Sequence, residues 1–166
     1  MPPSSGAAGA GKLPAMSKTS LWRRDATPDS INARLAGTVA ELLGIRITAL
    51  TEEGLEAEMP VDARHIQPFG ILHGGVSVVL SETLGSIAAV NASPEGARVV
   101  GIEVNANHLA SVAKGGRVTA RCRPLHVGRT TQVWQTEIFR EDGRMACVSR
   151  LTAAILGAKA ILETKD

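Results

Sequence analysis

Aromatic side chains are scarce in this chain: it has no tyrosine, two phenylalanines and two tryptophans in 166 residues. Few platforms exist for stacking nucleic-acid bases, and a formal net charge of +2 supplies no basic footprint for a phosphate backbone. Nucleic acid is excluded as an expected partner. Cysteine is as rare, since Cys122 and Cys147 fall inside strand-like runs with neither CxxC nor zinc spacing. Packed, reduced thiols are expected, with no metal site and no cofactor. No apolar run reads as long enough to span a bilayer, and the first fifteen residues, MPPSSGAAGAGKLPA, lack the basic and apolar regions of a secretory signal. The expectation is a cytoplasmic protein that engages no membrane.

The Gly/Ala/Pro/Ser-rich start reads as a disordered tail over residues 1–20, with Met16 an alternative initiator. Its Gly6, Gly11 and Lys12 mimic a phosphate loop, but Leu13 stands where that loop needs Ser or Thr. One domain is expected over residues 21–157, because 44% hydrophobic content suits one core at this length. Residues 158–166 read as a C-terminal tail.

What the chain does have is one unusual stretch, HIQPFGILHGGVSVVLSETLGSIAAVN, from His65 to Asn91. Leaving histidines aside, Glu82 is the only charged residue between Arg64 and Glu95, and no Lys or Arg occurs from Ile71 to Ala97. The exposed i,i+4 ion pairs that usually explain a helical Glu are therefore ruled out. Pro68, Phe69 and Gly70 make a turn, after which His73-Gly74-Gly75 opens an apolar helix with almost no breaker before Asn91. Two glycines leave the first backbone N–H groups sterically open, with the positive end of the helix dipole behind them. That is a site for a developing oxyanion. Apolar residues spread round most of the helix, which predicts a buried element. Ser77, Ser81 and Gly85, with Glu82, Ser86 and Ala89, form a strip of small or polar side chains where a neighbour packs closely.

Gly74 and Glu82 are eight residues apart, about 12 Å along a helix axis at about 1.5 Å per residue. One substrate carbonyl cannot touch both at working distances near ~3 Å. If the Gly74 N–H polarises a carbonyl while Glu82 attacks it or primes water against it, the two groups come from different copies of the chain. A homodimer at least is implied.

The rest is read from period changes. Thr27-Pro28-Asp29 starts a helix with Ile31, Leu35 and Val39 at helical spacing, ending before Gly44. Alternating runs over 44–50 and 54–59 flank a Thr51–Gly54 turn and read as a hairpin. After Gly96 come four strands, over about 98–111, 117–125, 130–140 and 144–156, the last two joined by Asp142-Gly143. One antiparallel sheet wrapped around a single long helix satisfies this order, an α+β hotdog arrangement.

The segment MPVDARHIQPFGILHGGVSVVLSETLGS, followed by GIEVNANHLASV, CRPLHVGRTTQVW and VSRLTAAIL, resembles the hotdog-fold acyl-CoA thioesterases of the aroyl-CoA branch. That branch includes PaaI-like thioesterases, 1,4-dihydroxy-2-naphthoyl-CoA hydrolases and the enterobactin proofreading thioesterase. The resemblance implies that Glu82 is nucleophile or general base and that Gly74 N–H polarises the thioester carbonyl. His73 and Gln67 would help hold the thioester, and Ser86 would position the hydrolytic water. It also implies that Gly101, the segment His108, Leu109, Ala110 and Ser111, and the segment His126, Val127, Gly128, Arg129, Thr130 and Thr131 contact the CoA-linked substrate. Ala110-Ser111 departs from the family's usual Arg-Pro. A homotetramer is implied in the same way, as is acyl carrier protein as a secondary partner.

Hydrolysis of a thioester needs a polarising donor and a base or nucleophile, and no metal. A carboxylate in an apolar helix without a cationic partner is expected to bind protons more readily, which suits either role. Blander readings stand beside these. Glu82 can be half of a structural ion pair across a subunit contact, and His73 can be only a helix-start hydrogen bonder. His65, His108 and His126 fit surface or strand polar positions, and Arg121 and Arg123 a solvated strand face. A non-hydrolytic acyl-CoA-binding module and a hotdog enoyl-CoA hydratase are the competing functions.

Overall fold

The computed structural model describes residues 21–157. The expected tails, the phosphate-loop mimic and Met16 lie outside the described residues.

Thr27 caps α1 (Pro28–Arg34): its side chain accepts from Ser30 N–H while Ser30 returns the bond to the Thr27 amide. The single helix expected as far as Gly44 is two short ones. Gly37 adopts φ +73, a left-handed conformation that ends a helix cheaply only at glycine. Thr38 then caps α2 (Val39–Leu42). The break re-aims the chain, so Ala40 is buried while Val39 and Leu42 face outward.

β1 (Arg46–Leu50) and β2 (Leu55–Pro60) pair antiparallel as expected, and Thr51 Oγ1 accepts from the Glu53 and Gly54 amides to close the turn. α3 runs Gly74–Ala92. It is followed by β3 (Arg98–His108), β4 (Arg117–Val127), β5 (Thr131–Arg140) and β6 (Met145–Leu156). β3 stops at His108, three residues short of the expected end, because Leu109 and Ala110 N–H both turn onto Ala146 O. β4 runs two residues beyond expectation.

The strands form one antiparallel six-stranded sheet in the order β1-β2-β4-β5-β6-β3, curled around α3 in the hotdog arrangement. On β4, Val118, Ala120 and Cys122 face the core and alternate with exposed Arg117, Thr119, Arg121 and Arg123. Arg121 pairs with Glu56 and Arg123 with Glu53, the solvated face of the bland reading. Leu80 and Leu84 of α3 are fully buried together with Trp134 and Ile138. The close neighbour of the small-residue strip is β6, since a Cβ added at Gly85 would lie 2.7 Å from Leu151 Cδ2.

One expectation needs correcting. α3, at 19 residues and mean hydropathy 1.3, is long and apolar enough to cross a membrane by length and composition, and half of that window is buried inside the fold. Here the apolar run serves as the helix that the sheet wraps.

Candidate active site

Short-range hydrogen bonding builds the start of α3. His65 was expected at a surface or strand position and is instead fully buried. Its Nε2 meets Leu43 O at 2.8 Å, its Nδ1 faces Asp62, and its carbonyl accepts His73 N–H at 2.8 Å. His65 thus ties the end of α2, through its ring, to the residue that caps α3, through its carbonyl. His73, at φ −69 and ψ 131, is that N-cap, and its Nδ1 accepts Gly75 N–H at 2.9 Å. His73 O accepts Val76 N–H at 2.9 Å and Ser77 N–H at 3.3 Å. Of the first four helix donors, only Gly74 N–H has no acceptor among the described residues. His73 is therefore a helix-start hydrogen bonder, and its capping leaves one particular amide free.

Gln67 shapes the preceding turn. Its Oε1 accepts Phe69 N–H at 2.7 Å and its carbonyl accepts Gly70 N–H at 2.9 Å, with Gly70 at φ +76. The Gln67 amide nitrogen keeps both hydrogens unengaged among the described residues. Gln67, Gly74, His108, Leu109, Ala110 and Ser111 line one cavity of about 340 Å³, with Ser77, Ile71, Leu72 and Ala146 completing its wall. His108 lies directly against Gly74, its Nε2 2.7 Å from where a Cβ would stand.

Glu82 is elsewhere. It is exposed on the face of α3 toward β3, and a Cβ added at Gly101 would stand 3.5 Å from its Oε1. The burial assumed for this carboxylate is absent within one chain, because β3 is the sheet edge and nothing covers the helix beyond it. No cation of the described residues pairs with Glu82. Ser86 follows one turn later, half-buried.

The remaining candidates form a third group at the far end of α3. In the β4–β5 turn, Gly128 N–H donates to Thr131 O at 3.0 Å, Thr130 O accepts Ile155 N–H at 2.9 Å, and the His126 ring rests on Gly128. Val127, Gly128 and Arg129 line a second cavity of about 240 Å³ with Arg23, Ser93 and Gln132. One protomer therefore holds the candidates in three separate places: the helix start, the helix middle and the helix end.

Comparison with known proteins gives this arrangement a family. The sequence profile of the thioesterase superfamily matches residues 69–147. The 1,4-dihydroxy-2-naphthoyl-CoA hydrolase of Escherichia coli (strain K12) is 51% identical over 136 residues, covering 82% of this chain and 99% of that protein. The chain belongs to the thioesterase superfamily. Proofreading thioesterase EntH of Cronobacter sakazakii is 49% identical, again over 82% of this chain and 99% of its own length. The crystal structure of a Haemophilus influenzae thioesterase superposes with a TM-score of 0.82 at 45% identity, covering 86% of this chain and 99% of that one.

In this thioesterase three contributors escaped the sequence reading. Ser77 is buried at the cavity wall; it was visible as part of the small-residue strip and not as part of a site. Arg23 reaches the second cavity from a segment distant in sequence, which no local pattern announces, and Gln132 stands one residue past the candidate segment 126–131. The two thiols lie outside all of this. Both are free and buried, and burial pushes the Cys122 thiol up to about 12 and raises that of Cys147, which leaves Cys122 in particular unreactive as a nucleophile.

Proposed function

We propose that this thioesterase hydrolyses an acyl-CoA, with an aromatic acyl group, in a site shared by two copies of the chain. The observation that carries the reading is the separation, along α3, of the helix-start donor left free among the described residues, Gly74 N–H, from the helix's one acid, Glu82. About 12 Å of helix lies between them, so a carbonyl held by the first is attacked with the help of the second copy's acid. The open edge of β3 supports the pairing. It is bonded on one side only, to β6, and carries exposed Val100 and Ile102. A long unpaired edge with apolar side chains is a template for a second strand.

In this site the Gly74 amide, backed by the helix dipole, stabilises the charge that develops on the thioester oxygen. The Glu82 carboxylate either adds to the carbonyl carbon, expelling CoA thiolate and leaving an anhydride that water hydrolyses, or takes a proton from the attacking water. Gln67 directs its amide hydrogens into the same cavity, and Ser86 sits where it can hold the water beside Glu82. The loops at 108–111 and 126–131 flank the route for the CoA arm. An aromatic acyl group is favoured by the family resemblance and by the naphthoyl substrate named for the Escherichia coli relative. The resemblance likewise supports acyl carrier protein as a secondary substrate and a tetramer built from two dimers. CoA thioesters are intracellular, which supports a cytoplasmic enzyme.

Mixing two inactive variants tests the shared site. Glu82→Gln removes the acid. Gly74→Pro removes the donor at N1, where the backbone tolerates proline and the extended His73 before it has the conformation a residue before proline adopts, and its ring also displaces His108 of the same chain. Each alone is inactive in the release of CoA thiol from benzoyl-CoA. Dissociated and reassociated at equal amounts, half the dimers are mixed and each has one intact site, so about one quarter of native activity returns. No recovery at any mixing ratio places both groups in one chain and ends the proposal.

A further inference from the structure

His108 is the last residue of β3, and its imidazole lies across the first turn of α3. A Cβ built on Gly74 would stand 2.7 Å from Nε2 but 3.1 and 3.2 Å from Cε1 and Cδ2. The Nε2 end of the ring therefore lies face-on against Gly74, with its N–H axis directed away from that residue. A Cβ position lies about 2.5 Å from its own backbone nitrogen, so Nε2 is within about 5 Å of Gly74 N. A single acceptor oxygen bonds two donors at about 3 Å each when they are closer than about 6 Å and both N–H bonds face it. Both nitrogens border the same cavity, and neither the His108 side chain nor the Gly74 amide has a hydrogen-bond partner among the described residues.

We propose that His108 is a second catalytic donor: its Nε2–H and the Gly74 N–H together receive the thioester oxygen. The assignment rests on the thioesterase reading and adds to it a residue that touches the reacting carbonyl. As the nucleophile bonds to carbon, the carbonyl π electrons move onto oxygen and both N–H bonds tighten. When the intermediate collapses, the double bond re-forms, the carbon–sulfur bond breaks and the thiolate takes its electron pair. No proton leaves His108 in either step. The same geometry explains why residue 74 is glycine, because any side chain there meets the ring and drives the second donor out of the cavity.

Two ligands separate this role from a plain contact with the CoA arm. Benzoyl-CoA carries the carbonyl, whereas S-benzyl-CoA keeps the arm and the ring and lacks it. His108→Phe fills the ring's space without a donor, so kcat for benzoyl-CoA is expected to fall about 100-fold while S-benzyl-CoA binding moves less than about 2-fold. His108→Gln, which restores an N–H, recovers about 10-fold of that loss. Gly74→Ala keeps its amide yet displaces the ring, so it lowers kcat to a similar degree, and the double variant Gly74→Ala/His108→Phe is no worse than His108→Phe within about 3-fold. Unchanged kcat in His108→Phe overturns the second donor alone. S-benzyl-CoA binding that weakens in step with kcat also overturns it, in favour of a contact with the CoA arm. A native protein that binds benzoyl-CoA and releases no thiol overturns the hydrolytic reading beneath it, and that result is visible before any variant is made.

Discussion

The start and the middle of α3 sit on the same helix and are built in opposite ways. At the start, His73 and its carbonyl engage three of the four leading amides, a buried His65 anchors the cap, and a cavity wall encloses the amide left over. At the middle, Glu82 faces outward beside a sheet edge with no cation paired to it among the described residues. One region is finished by its own chain and the other is not. On the proposed reading, the acid and the strand edge left bare are what a second copy of the chain would complete.

The largest expected effect tests the bare half. Glu82→Gln should lower kcat for acyl-CoA hydrolysis about 10³-fold and leave thermal unfolding nearly unchanged, because the carboxylate makes no bond among the described residues to lose. Strong destabilisation with activity retained would turn Glu82 into a structural ion pair.

Smaller, and aimed at the edge beside it, is Ile102→Asp. Ile102 is 60% exposed at an irregularity in the β3–β6 register next to Gly101, and a charge there opposes pairing with a second edge. Specific activity at low protein concentration should fall about 10-fold and recover as concentration rises, followed by light scattering alongside thiol release. A fully active monomer would break the contrast between the two regions.

The smallest effect concerns the finished half. The Arg64 guanidinium holds the Asp62 carboxyl well below the usual carboxylate range, so the folded state favours the ionised form. The stability this contributes is present at neutral pH and is lost as pH falls below the ordinary carboxylate value of 3.8. Asp62→Asn should therefore lower Tm slightly at pH 7, and the difference from the native protein should vanish in strong acid. A difference that stays constant with pH would take the effect away from the carboxylate's charge altogether.

Much of this was legible in the chain, and for specific reasons. Thr27 and His73 cap helices through bonds to residues two or three positions on, and the Thr51–Gly54 turn closes on itself, so local sequence suffices for each. The break at Gly37 was missed because Ile31, Leu35 and Val39 keep a helical spacing across it, and apolar period alone does not register a left-handed glycine. His65 was misplaced because its decisive partner, Leu43 O, is 22 residues away.

The sequence by itself determined that one acid stands alone in an apolar helix and that a glycine pair opens that helix eight residues earlier. Composition and spacing along one element are enough for such a statement, since helical rise converts residue count into distance. Only the tertiary structure decided that the imidazole of His108 leans on Gly74 and that β3 ends the sheet with Glu82 exposed beside it. Those facts join residues 34 positions apart or more, or depend on what a strand lacks on one side, and no period in the chain records either.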